Sequence, residues 1–160
     1  VYEVRPVYEH ALRSHRVYAP DLPGYGFSER SSRPYDINLF CDAIRDMLAQ
    51  LSCDRGRVEQ VDALAWLERG PPASKPFEIV FLDPPYGEAW LPVLAEKLER
   101  GGWLAPGAWI YLEDAAARGE PLLPAGWTLL RSKRAGDVGY HLARRGSPAH
   151  NNDHQTRGSE

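Results

Sequence analysis

The sequence predicts an α/β fold: a mainly parallel sheet closed by an antiparallel β-hairpin. Three observations predict it. Helix-like and strand-like segments alternate along the chain, the pattern of layered α/β units. The run Ile79-Val80-Phe81-Leu82 is apolar throughout, as in a strand covered on both faces. It stops at Asp83-Pro84-Pro85, because proline cannot donate to a ladder. Near the end, two strand-like runs flank Ala135-Gly136-Asp137, a tight-turn signature.

The elements follow in order. Residues 5–14 carry weak helical periodicity, and His15–Ala19 reads as a short strand. Pro20–Tyr35 is a loop rich in Pro, Gly and Ser. Asp36 is the expected N-cap of a helix reaching Leu51, with Ile37, Phe40, Cys41, Ile44, Met47, Leu48 and Leu51 as its apolar stripe. Ser52–Gly56 links this helix to an expected strand at Arg57–Val61 and a short helix at Asp62–Glu68. After the Phe77–Leu82 strand, Ala89–Glu99 is an amphipathic helix with Leu91, Val93, Leu94 and Leu98 inward, stopped by Gly101-Gly102. Ala108–Glu113 is a strand, and Trp127–Arg134 with Val138–Arg144 form the hairpin. Residues 146–160 are polar and expected to be disordered.

Composition bounds the function. A chain of 160 residues with a net charge of -3 has no global basic field, which argues against a tight nonspecific nucleic-acid binder but not against a local basic patch. Cys41 and Cys53 lack metal-ligand spacing and read as free cytosolic thiols, so no metal is expected and the expected location is cytoplasmic. No apolar run approaches a membrane span, and no signal peptide is read. Val1 stands inside sequence that already reads as structured, which points to a longer natural chain.

In open α/β sheets ligands bind beyond the carboxyl ends of strands, which makes Asp83 and Tyr86 candidates for chemistry. Asp83-Pro84-Pro85-Tyr86 resembles the catalytic motif of amino-methyltransferases that use S-adenosylmethionine. The residue types have a reason. The lone pair of a nucleobase amine is delocalised into the ring, so the nitrogen is a poor nucleophile. A carboxylate and a backbone carbonyl accept its two hydrogens, hold it in line and stabilise the charge that develops on it. Two prolines keep that carbonyl aimed, and Tyr86 offers a face to an extruded base.

From Arg57 to Arg145 the chain resembles the carboxyl-terminal half of the bacterial 16S rRNA (guanine-N2)-methyltransferase family. The resemblance is carried by residues 61–67 (VDALAWL), 77–86 (FEIVFLDPPY), 102–104 (GWL), 110–113 (IYLE) and the hairpin from Arg131 to Tyr140. It implies an incomplete Rossmann-like methyltransferase fold, S-adenosylmethionine as cofactor and small-subunit rRNA as partner. Asp83, Pro84, Pro85 and Tyr86 would form the catalytic loop. Asp62 and Ala63 would lie near the cofactor's adenine, although Asp62 reads equally well as a helix N-cap. Arg131, Lys133 and Arg134, with Arg144 and Arg145, would contact RNA phosphates. The tryptophans at 66, 90, 103, 109 and 127 read as packing, with Trp90 set apart by its place just past the turn.

The first half departs from that family. Residues 16–28 (RVYAPDLPGYGFS), with Tyr35-Asp36 and the helix after them, resemble an α/β-hydrolase. No G-x-S-x-G elbow follows Leu51, so no Ser-His-Asp hydrolase is assembled. Asp21–Gly26 imitates a cofactor glycine loop, but its helix starts late and Pro23 lacks an N–H. The expectation is a chimera: a hydrolase-like fragment at 1–54, a methyltransferase-like half at 55–145 and a tail at 146–160, with weak cofactor affinity. The alternatives are a hydrolase fragment without its nucleophile, or a noncatalytic module.

Overall fold

The computed structural model describes residue 13 and residues 21–71, 76–85 and 88–147. It divides into two units, Val1–Asp62 and Ala63–Glu160. In the first, Asp21–Tyr35 is a run of turns and Ile37–Gln50 is helix α1. Asp36 caps α1: its Oδ1 accepts from the Leu39 N–H at 2.9 Å, satisfying one of the donors orphaned at a helix start. Leu39 and Cys41 are its buried residues, whereas Ile37 and Leu51 are exposed. Ile37 lies in the first turn and Leu51 is the C-cap, so both project past the buried stretch. The helix and strand expected at 5–14 and 15–19 lie outside the described residues, save Arg13, which stands in a turn.

The strand expected at Arg57–Val61 does not form; the segment joins no ladder among the described residues, and Val61 is 42% exposed. A strand is defined by its partner, and two valines spaced by polar residues are too weak a stripe to hold one.

The second unit is a four-stranded mixed sheet with a helical layer on one side. Its elements are α2 (Ala63–Glu68), β1 (Phe77–Leu82), α3 (Leu91–Arg100), β2 (Leu104–Ala115), a 3-10 turn (Ala116–Arg118), β3 (Trp127–Ala135) and β4 (Val138–Arg145). The strand order is β1-β2-β4-β3. β1 and β2 run parallel, and β4 pairs antiparallel with both β2 and β3. The hairpin turns on Gly136-Asp137, and Gly136 takes φ +60°, which a residue with a Cβ adopts only under strain.

The core lies between the helices and one sheet face. Leu91, Leu94, Ala95 and Leu98 of α3 meet Ile110 and Leu112 of β2 and Ala143 of β4. Ile110 and Leu112 are fully buried, each stabilising the fold by roughly 1.5–3 kcal/mol. Val93, expected inward, is 47% exposed. Trp103 is the hub: its ring lies 4.4 Å from Trp66 and stacks on Phe77, and its Nε1–H donates to the Leu67 carbonyl at 3.2 Å.

One expectation about β1 is overturned. It is not covered on both faces, because Phe77, Ile79 and Phe81 are exposed while Val80 and Leu82 are half-buried. Both helices of this unit pack on the side of Ile110 and Leu112, and β1 ends the described strand order.

Candidate active site

Backbone alternation sorts the sheet's side chains into two faces. On β1 and β2, Ile79 pairs with Trp109, Phe81 with Tyr111 and Leu82 with Leu112. The next residues along the two parallel strands are Asp83, just past the end of β1, and Glu113; strand alternation carried one residue further sets both on the face away from the helices, and the Glu113 charge acts on Asp83. Asp83 stands at the carboxyl end of β1, where Pro84 and Pro85 turn the chain out of the sheet. Tyr86 lies outside the described residues.

Asp83 is exposed, yet its carboxyl pKa is raised. Partial desolvation against the strand end is the larger cause, and the Glu113 charge adds to it. Tyr111 is buried and donates its hydroxyl to Glu113 Oε1 at 2.7 Å. The turn therefore presents a carboxylate with raised proton affinity beside a second, hydrogen-bonded carboxylate. The role of Glu113 was invisible in the sequence, because the register that sets it beside Asp83 joins residues 30 apart.

The expected RNA contacts separate. Arg131 pairs with Leu142 and Lys133 with Tyr140, which places both on the face of Tyr111 and Glu113, and both are exposed. Arg134 is also exposed but belongs to the opposite face, and its Nε–H donates to the Gly136 carbonyl at 2.6 Å. Arg145 is not a free cation. Its Nε–H and Nη2–H donate to the two carboxylate oxygens of Glu99, both at 2.7 Å, and Nη1–H donates to the Leu104 carbonyl at 2.6 Å. Arg144 lies over the Trp109 ring, 5.0 Å from its centroid. Trp90 is half-buried and packs against the core, its Nε1–H donating to Glu88. A depression of about 660 Å³ opens along α2 and α3 between Leu67, Pro92 and Lys97, in the helical layer. This hollow does not coincide with the acidic turn.

The residues expected near S-adenosylmethionine stand just before and at the start of α2. Asp62 and Ala63 are exposed, and the segment before them is not a strand that would aim Asp62 at a ligand. The Asp21–Ser28 loop closes on itself: Asp21 Oδ2 accepts from the Phe27 N–H at 3.0 Å, and the Gly24 N–H donates to the Glu29 carbonyl at 3.2 Å. At Gly26 a Cβ would collide with the Asp21 carboxylate, so the space under the glycines is filled by the loop's own side chain. Among the described residues no cluster of acidic, His or Cys side chains is arranged to hold a metal. No described helix is long and apolar enough to cross a membrane.

An open sheet with parallel β1 and β2, an antiparallel hairpin and an Asp-Pro-Pro turn at the carboxyl end of β1 defines a Rossmann-like methyltransferase fold, incomplete in this chain. The comparisons agree. The chain belongs to the family described as conserved hypothetical protein 95, whose model matches residues 38–144. It is similar to the Ribosomal RNA small subunit methyltransferase D of Escherichia coli K12, 40% identical over 98 residues, which are 61% of this chain and 48% of that protein. It is also similar to the methyltransferase D of Haemophilus influenzae, 34% identical over 103 residues, 62% of this chain and 51% of that one. The chain thus spans about half the length of the curated relatives it matches. Two solved structures share the fold. yhhF from Escherichia coli has a TM-score of 0.59 at 36% identity, covering 71% of this chain and 61% of its own. HI0767 from Haemophilus influenzae has a TM-score of 0.58 at 31% identity, covering 70% and 69%. The family match begins upstream of Arg57, inside α1, a helix that the hydrolase resemblance also claimed.

Proposed function

We propose that this chain carries the acceptor-holding end of an S-adenosylmethionine-dependent methyltransferase that modifies a guanine exocyclic amine in small-subunit rRNA, in the cytoplasm. The observation that carries this reading is the Asp83-Pro84-Pro85 turn at the carboxyl end of β1, in a chain whose curated relatives are named rRNA small subunit methyltransferases. Asp83 accepts one amine N–H and the Pro84 carbonyl the other. The nitrogen is then fixed with its lone pair directed away from both acceptors, and its developing positive charge faces an anionic carboxylate. Pro84 and Pro85 hold the carbonyl's direction, and the motif alone assigns Tyr86, outside the described residues, as the face offered to the extruded base. The chemistry that Asp83 performs is orientation and charge stabilisation.

Because Asp62 and Ala63 are exposed and no strand precedes them among the described residues, we assign this chain alone a weak hold on S-adenosylmethionine. Titration calorimetry should show no saturable binding below about millimolar cofactor; a micromolar Kd would overturn that assignment. We also read the segment before α1 as hydrolase-derived. We put the join between Tyr35 and Asn38 rather than at residues 52–57, since the family match already takes in α1. Uninterrupted genomic reads across codons 30–60 support a real fusion, and a break there removes it. The catalytic reading is tested by methyl incorporation into small-subunit rRNA with wild-type chain and Asp83→Ala: the variant should fold and lose transfer, and an unchanged rate removes Asp83 from the mechanism.

A further inference from the structure

β3 contains one residue more than its partner strand requires. Thr128 pairs with Arg144 and Leu129 with Ala143, but the next pair is Arg131 with Leu142. Leu130 is the extra residue of a β-bulge, 44% exposed. A one-residue slip exchanges the faces of everything beyond it. Without the bulge, Arg131 and Lys133 would turn to the face on which His141 lies, the face of Ile110 and Leu112. With it, Ser132 takes that side, and its Oγ lies 2.9 Å from His141 Nδ1. Arg131 and Lys133 instead share the face of Asp83 and Glu113.

We propose that the Leu130 bulge aims Arg131 and Lys133 to form an RNA phosphate-binding edge on the same sheet face as Asp83. This rests on the reading of Asp83 as the turn that holds a guanine amine. Charge is segregated across the face. Asp83 and Glu113 stand at the β1–β2 end and Arg131 and Lys133 on β3, three strand steps from β1, or about 14 Å at the usual spacing, while Arg144, on the same face, is held over the Trp109 ring. A polyanionic backbone is repelled by the first end and drawn to the second, so the strand tracks β3 while one base reaches across toward β1. Arg134, on the other face, takes no part.

The test is fluorescence anisotropy of a labelled RNA stem-loop from the small subunit with the full chain, at 50 and 150 mM salt, using Arg131→Glu, Lys133→Glu and Arg134→Glu. All three side chains are exposed, so circular dichroism should show unchanged folds. Arg131→Glu and Lys133→Glu should each weaken binding at least fivefold and flatten the log–log salt slope by about one, and Arg134→Glu should stay within twofold of wild type. Equal losses for all three variants, or no loss for the first two, would overturn the proposal, as would a wild-type chain that does not bind the RNA. Asp83→Ala separates the two readings. If it abolishes methyl incorporation while the charge reversals leave affinity untouched, the acceptor reading stands and the phosphate edge falls.

Discussion

Replacing Glu99 with Ala removes the acceptor around which one corner of the sheet is fastened. Glu99 receives two hydrogen bonds from the Arg145 guanidinium and a third from Trp127 Nε1–H at 2.8 Å. It ties α3 to β3 and β4, and both charged side chains are 25% exposed. A bidentate, charge-assisted pair in this setting is neither a surface contact worth less than about 1 kcal/mol nor a sealed pair whose rupture costs 3–5 kcal/mol. The substitution strands the indole N–H and leaves the guanidinium with the Leu104 carbonyl. An intermediate cost of about 2–3 kcal/mol follows. With a urea m-value of about 1.5 kcal/mol/M, the midpoint should fall by roughly 1.3–2 M, read by tryptophan fluorescence. Arg145→Lys should lose much of this, because an ammonium cannot present the fork. A midpoint shift below about 0.3 M for Glu99→Ala would refute the reasoning. The pH dependence has a definite sign. The Arg145 hydrogen bonds hold the Glu99 pKa below its ordinary value, so the stabilisation is fully present above the ordinary carboxylate pKa. It is lost as pH falls through the lowered one, and wild type and Glu99→Ala should converge in strong acid.

Two further outcomes follow from the sheet's titratable groups. His141 is buried, and desolvation lowers its pKa despite the opposing charges of Glu120 and Asp114. The folded state therefore binds its proton less readily than the unfolded chain, and stability should decline as pH drops below about 6.5, a decline that His141→Gln should reduce in urea titrations at pH 7 and pH 5. Asp83 has the opposite shift for its type: its raised pKa means that ionisation is disfavoured in the fold. Asp83→Asn should leave stability unchanged or raise it by less than about 1 kcal/mol at pH 7, with the gain vanishing in acid; a clear loss at pH 7 would make Asp83 a structural residue.

Local chemistry made part of this protein legible. Asp36 before an apolar stripe announced α1 and its cap, Gly101 marked the end of α3, and Gly136-Asp137 announced the hairpin. Asp83-Pro84-Pro85 stood out because two prolines must end a strand, and residues that end strands in α/β sheets meet ligands. What stayed hidden depends on partners distant in sequence. An apolar run such as Ile79–Leu82 reads the same whether or not a second layer covers it. The Leu130 bulge has no glycine or turn residue to betray it, so Arg131, Lys133 and Arg134 looked equivalent although the sheet divides them. Arg145 looked like a surface cation until the fold brought Glu99 to it from 46 positions away. Arg57–Val61 failed as a strand for the converse reason: a local pattern was present, but a ladder was not.

The central claim is that Asp83 holds a guanine amine for methylation. The most direct measurement is nucleoside mass spectrometry of small-subunit rRNA incubated with the chain and millimolar S-adenosylmethionine, comparing wild type with Asp83→Ala. N2-methylguanosine should appear slowly with wild type and not at all with the variant, both proteins being equally folded. N2-methylguanosine formed equally by the two, or methylation confined to another atom, would contradict it.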